Sequence, residues 1–166
     1  MSLEIITVDH PKAAVLRRRA YAVRTITPKV RDLVARMIET MREHHGLGLA
    51  APQVGESLRL FVAEVEGRLV VLIDPEVLRQ EGEEEGTEGC LSIPGVLVDG
   101  LPRAARVRLR GKNRRGRRVT IDAEGLLARV LQHEIDHLDG ILVTDRVQDP
   151  ERIRHVDAPP EEVAAV

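Results

Sequence analysis

Gln132-His133-Glu134-Ile135-Asp136-His137 sets two histidines four residues apart with a glutamate beside the first. On an α-helix, residues at that spacing share one face about a turn apart. Two imidazoles so placed can hold one metal ion, and the glutamate can reach a water on it. The same pattern also arises on amphipathic helices whose histidines merely sit at the surface. Here the flanks argue otherwise. Leu126, Leu127, Val130 and Leu131 precede the motif and Leu138 closes it, so the helix reads as mostly buried. Buried imidazoles need partners, and a metal supplies them.

The chain's single cysteine, Cys90, lies in Glu88-Gly89-Cys90-Leu91-Ser92. A thiolate and two imidazoles make three ligands and leave a fourth position open for water, as a catalytic site requires. Zinc proteases with HExxH draw a third histidine or a glutamate from downstream. Only His155 and acids near prolines stand there, at no recognised spacing. Thiolate with imidazole suits ferrous iron, zinc, cobalt or nickel, so the donor set names no single metal. Glu134 is then not a ligand but the proton carrier between water and leaving group.

Further out, Thr27 and Pro28 read as N-cap and first residue of a helix whose stripe is Val30, Leu33, Val34, Met37, Ile38 and Met41, with Gly46 placed to terminate it. Leu58 to Glu64 and Arg68 to Ile73 read as strands of a hairpin turning at Glu66-Gly67. Arg106-Val107-Arg108-Leu109-Arg110 alternates as a half-buried strand does, and a turn at Asn113 to Gly116 returns the chain through Arg117 to Ile121. Asp122 is placed to cap the HExxH helix and Gly140 to end it. Helix, strands, then helix, without βαβ alternation, predicts one α+β domain. Its antiparallel and mixed sheets surround a central metal-binding helix. The domain is expected to span residues 1–166, with about 156–166 a mobile tail.

Hydrophobic content of 43% and charged content of 31% suit a globular domain with one core. A net charge of −2 and only Tyr21 and Phe61 as aromatics argue against specific nucleic-acid binding. A lone cysteine fits a reducing cytoplasm. The aliphatic run Leu69 to Ile73 is too short to span a bilayer, and no signal peptide is visible. The acidic run Glu81 to Gly86 reads as a solvated, mobile loop. The basic stretch from Arg103 to Arg118 reads as an exposed hairpin face, with contact to ribosomal RNA the alternative.

Three segments together resemble the signature motifs of the peptide deformylases: Gly46-Leu47-Gly48-Leu49-Ala50-Ala51-Pro52-Gln53-Val54-Gly55, then Glu88 to Ser92, then Gln132 to His137. They occur in the family's order and bracket residues 46 to 140. The resemblance implies a hydrolase that removes the formyl group from the N-terminal methionine of new polypeptides and releases formate. It implies Cys90, His133 and His137 as ligands of one divalent ion, natively Fe²⁺, with Zn²⁺, Ni²⁺ or Co²⁺ able to substitute. Glu134 becomes the general base and acid, and the Gln53 amide with the Leu91 N–H the oxyanion donors. Backbone near Gly46, Gly48 and Gly89 pairs with an extended substrate peptide. Leu126 and Val130, with Glu88 nearby, line the methionine slot, and whether the Arg129 stem borders it is left open.

The partners implied are N-formyl-methionyl nascent peptides and a transient ribosome contact, with no membrane. Two departures stand out: Val96-Leu97-Val98-Asp99 where relatives often carry an arginine, and a proline-containing C-terminus that excludes a long basic terminal helix. The alternatives are an HExxH metallopeptidase and a non-catalytic binder of peptide N-termini.

Overall fold

The computed structural model describes residues 2–157. Helix α1, Pro28–Glu43, starts where the capping chemistry places it: Thr27 Oγ1 accepts the Val30 N–H at 3.2 Å. It ends through a Schellman arrangement. The Gly46 N–H reaches Met41 O and the His45 N–H reaches Arg42 O. His45, not Gly46, therefore takes the left-handed conformation, at φ 54°. Gly46 is kept small for another reason: a Cβ there would stand 2.8 Å from Leu91 Cδ1.

Among the described residues, eight strands form two sheets. The first has the order β1-β2-β3-β6-β7, built from Gly48–Ala50, Leu60–Val65, Arg68–Glu81, Arg106–Lys112 and Arg118–Glu124. The second has the order β4-β5-β8, from Glu84–Cys90, Ile93–Arg103 and Ile153–His155. All pairings between these strands are antiparallel, so the expected mixed character is absent from the ladders. One isolated parallel bridge, Tyr21 to Leu58, is the exception. Glu66 and Gly67 both take positive φ, 51° and 79°, and close the β2–β3 hairpin as a two-residue turn. β6 alternates exposed arginines with buried Val107 and Leu109, as its sequence pattern requires.

Three boundaries differ from expectation. β3 continues past Ile73 to Glu81 because Asp74, at φ 52°, and a register shift carry the chain around the corner to pair with β6. The acidic run is exposed, but it is mostly strand: only Gly82 and Glu83 separate β3 from β4. Asp122 stays in β7 opposite Arg108, and the cap of α2 passes to Glu124. Gly125 at φ 61° makes the turn into the helix instead.

Helix α2, Gly125–Leu138, packs against β1, β2, β6 and β7. Phe61, Leu72, Leu109, Ala128, Leu131 and Leu138 are buried in the cluster that joins them. The helix ends at Asp139, with Gly140 at φ 75° just beyond. β8 adds to β5, and the Val156 N–H bonds to Gly95 O; of the tail expected over about 156–166, only Val156 and Asp157 are among the described residues. Residues 158–166 lie outside the described residues. No helix among the described residues is long and apolar enough to cross a membrane.

Candidate metal centre

Three elements converge at one point. β4 ends on Cys90, α2 carries His133 and His137 one turn apart, and the turn Ala51–Val54 presents Gln53. The ligand atoms of Cys90, His133 and His137 all lie within 4.8 Å of one another, and all three residues are buried. Cys90 Sγ is 3.4 Å from His137 Nε2, which is 3.2 Å from His133 Nε2.

The chemistry of these donors fits a divalent cation. His133 Nδ1 lies 2.8 Å from Glu88 Oε1, and an ionised carboxylate can only accept. The ring proton therefore sits on Nδ1, and Nε2 turns its lone pair inward. Without an ion these three atoms can pair only with one another, through a single imidazole or thiol hydrogen at a time, whereas one divalent cation would take a lone pair from each. Burial, with the nearby Glu134 charge, pushes the Cys90 thiol up to about 12. Burial, with His133 beside it, holds His137 well below the usual imidazole range and hence neutral. A divalent ion favours the thiolate and keeps that neutral imidazole as a ligand.

Glu134 is fully buried, and neither carboxylate oxygen has a hydrogen-bond partner among the described residues. Burial first, and the Glu88 charge second, raise its proton affinity well above that of an ordinary carboxylate. Its carboxylate packs onto β1: a Cβ at Gly48 would overlap it, so glycine is required there. Gln53 is held at both ends. Its Oε1 accepts the Ala50 N–H at 2.9 Å, while Nε2 donates to Ser92 Oγ at 3.1 Å and faces Cys90 Sγ at 3.6 Å. The amide donor is thereby aimed at the metal centre.

Glu88, expected near the methionine slot, is the hydrogen-bond partner of the His133 ring. It is fully buried, accepts both Arg103 nitrogens at 2.8 Å and Arg129 Nη1 at 2.7 Å, and still holds His133. Burial alone would raise its pKa, but the hydrogen bonds from Arg103 and His133 outweigh that and hold it below the usual carboxylate range. Arg103 continues to Asp136 at 2.7 Å, and Asp136 to Arg146. The Arg129 guanidinium also donates to Leu101 O and Glu84 O, pinning β4 and β5 to α2.

Leu126 is 40% exposed, whereas Val130 is sealed into the core, so of the two only Leu126 offers surface. Gly48 lies on β1 and Gly89 on β4, and each strand is an edge of its sheet. Sequence reasoning missed Ser92, Arg103 and Asp136 and left Arg129 open. Asp136 was the available signal: an acid inside the motif of a buried helix demands a cation.

The polypeptide deformylase family description matches residues 2–153. The chain belongs to that family. It is 49% identical over 146 residues to the peptide deformylase of Dictyoglomus thermophilum, covering 88% of this chain and 93% of that one. Its fold superposes with a TM-score of 0.84 on the peptide deformylase of Thermus thermophilus, at 45% identity, covering 92% of this chain and 89% of that one. A Met-Ala-Ser-bound class I type b peptide deformylase from Acinetobacter baumannii gives 0.82 at 30% identity, covering 89% and 99%. The activity follows from the family: the enzyme is a hydrolase that removes the N-terminal formyl group from nascent peptides.

Proposed function

We propose that Cys90, His133 and His137 hold one divalent ion, that Glu134 moves the proton, and that Gln53 and Leu91 steady the reacting formyl oxygen. One observation carries this reading: three buried donor atoms within 4.8 Å of one another, beside a buried carboxylate with no hydrogen bond of its own. When bound, the ion supplies Lewis acidity to the formyl oxygen and the attacking water. Glu134 takes a proton from that water and delivers it to the amine nitrogen as the C–N bond breaks. Formate and a free methionyl N-terminus result. As water adds, negative charge grows on the formyl oxygen, and the oriented Gln53 Nε2 with the Leu91 N–H donates to it.

The two sheet edges supply the peptide site. An extended substrate adds to the open side of β1 at Gly46 and Gly48 and meets β4 at Gly89. Leu126 borders the methionine, with Val130 behind it. The Met-Ala-Ser peptide bound by the Acinetobacter relative supports a substrate that begins with methionine. The family suggests Fe²⁺ as the native ion, and Zn²⁺, Ni²⁺ and Co²⁺ can substitute because a mixed thiolate–imidazole set accommodates each. The enzyme works in the cytoplasm, where nascent chains and a reduced Cys90 coexist, and a transient ribosome contact brings it to them.

Formate release from formyl-methionyl peptides, set against acetylated and internal-amide controls, tests the reading. Glu134→Ala keeps its metal and loses activity roughly 10²–10⁴-fold. Near-normal turnover in a metal-replete Glu134→Ala enzyme removes Glu134 from the mechanism, and cleavage of internal amides replaces the assignment with a peptidase.

A further inference from the structure

The β6–β7 hairpin changes its electrostatic character along its length. At the base, Arg106 stands opposite Glu124 and Arg108 opposite Asp122. Arg106, Arg108 and Arg110 also pair with Glu81, Asp122 and Glu76 respectively. That face neutralises itself. At the tip the pattern inverts. Lys112 stands directly opposite Arg118, a like-charged cross-strand pair of the kind that weakens a hairpin. Arg114, Arg115 and Arg117 lie between them, so five of the seven residues 112–118 are cations. Among the described residues, none of the five forms an ion pair with a carboxylate.

The tip is ordered rather than a loose basic loop. Asn113 Oδ1 accepts the N–H groups of Arg115 at 2.9 Å and Arg117 at 3.0 Å. The Gly116 N–H closes onto Asn113 O at 2.9 Å, with Gly116 at φ 81°. Arg114, Arg115, Arg117 and Arg118 are all exposed. A Cβ on Gly116 would lie 3.7 Å from Ile26 Cδ1, so the tip rests against the segment leading into α1. That segment adds exposed Arg24, Lys29 and Arg31. The acids beside it are engaged: Asp74 accepts the Val23 and Arg24 N–H groups, and Asp32 faces Arg36. The whole chain carries a net charge of −2, so this concentration of positive charge is local.

We propose that the tip of the β6–β7 hairpin, with the adjoining start of α1, is a docking surface for the phosphate backbone of RNA. This rests on the reading that the substrate is a nascent chain, which is presented beside ribosomal RNA. Arginine forks suit phosphate oxygens, and tolerating the Lys112–Arg118 repulsion makes sense where a polyanion relieves it. The hairpin tip reads charge and not sequence, because none of residues 112–118 is aromatic and able to stack on bases. An anionic bilayer fits less well, since the tip carries no apolar side chain to enter it.

The test is binding of the full chain to a short A-form RNA duplex across about 50–200 mM salt, compared among three proteins. Arg114→Glu/Arg115→Glu lowers affinity about 10-fold or more and flattens the slope of log affinity against log salt by about 1–2. Lys12→Glu/Arg18→Glu makes the same change in net charge elsewhere and keeps wild-type binding. Formate release from a free formyl peptide stays unchanged in both, which shows that the folds are intact. Equal losses in the two variants, full retention in the hairpin variant, or hairpin-dependent binding to phosphatidylserine vesicles but not to RNA each overturns the proposal. Failure of the parent protein to deformylate any peptide would break the functional reading, and the RNA result would remain legible on its own.

Discussion

The ion pairs behind the metal centre and those on the outer face of the β6–β7 hairpin both join an arginine to a carboxylate at nearly equal distances. Arg103–Glu88 is 2.8 Å and Arg108–Asp122 is 2.7 Å. Their surroundings differ completely. Arg103 and Glu88 are 4% and 0% exposed at the side chain, whereas Arg108 and Asp122 are 45% and 66% exposed. In water-screened surroundings a pair contributes little, and either partner can be removed because solvent replaces it. In the interior each charge depends on its partners, since its desolvation cost is otherwise uncompensated. Such a buried set need not make the protein more stable than well-packed apolar residues would. What it does here is orient: Glu88 fixes the His133 ring and its tautomer, while Arg103 and Arg129 fix Glu88.

The largest expected effect comes from cutting the interior set. Arg103→Met leaves Glu88 and Asp136 short of positive charge and destabilises the fold by about 3–5 kcal/mol, measured by denaturant unfolding. A loss below about 1 kcal/mol, the range of a surface pair, would erase the distinction between the two regions.

Next in size is Glu88→Gln, which keeps the shape but gives His133 a neutral partner. Metal affinity falls roughly 10–100-fold in a chelator competition while the fold is retained. Unchanged affinity would mean that packing alone sets the His133 ring.

The hairpin supplies the smallest effect. The Asp122 carboxyl is held below its ordinary range chiefly by the hydrogen bond from Arg108. A depressed folded pKa gives stability that is present above the unfolded value, about 3.9, and is lost as the pH falls through the folded one. Arg108→Gln therefore shows a slight drop in melting temperature at neutral pH, and the difference closes below about pH 4. A drop as large as that of Arg103→Met, or one independent of pH, would place this exposed pair with the interior set.

The histidine pair of the metal-capable cluster was readable because local geometry makes it so. The spacing of His133 and His137 means one helical face in any packed helix, and the apolar flanks say that the face is buried. Cys90 was legible as the chain's single cysteine, and Gln53 only through the resemblance of its whole motif. The partners of Glu88 were not legible, because nothing local marks an acid as buried among arginines. Its meaning lies in Arg103, 15 residues away across the β4–β5 ladder, and in Arg129, 41 residues away on α2. The end of α1 was misplaced for a related reason. Glycine is the common left-handed residue, but the backbone bonds to Met41 O and Arg42 O put His45 in that position.

By itself, then, the sequence determined the short-range features: where α1 begins, how β2 turns into β3, that β6 hides one face, and that two imidazoles and a glutamate share one helix. Each depends on contacts within a few residues, where periodicity and capping leave few choices. The tertiary structure alone decided that β4 and β1 are edge strands of their two sheets, and that the acidic run becomes strand. It likewise decided which arginines lie inside paired with acids and which, among the described residues, form no ion pair at a hairpin tip. Those outcomes depend on ladder register and on the desolvation of charges brought together from distant parts of the chain, and neither quantity has a value until the chain has folded.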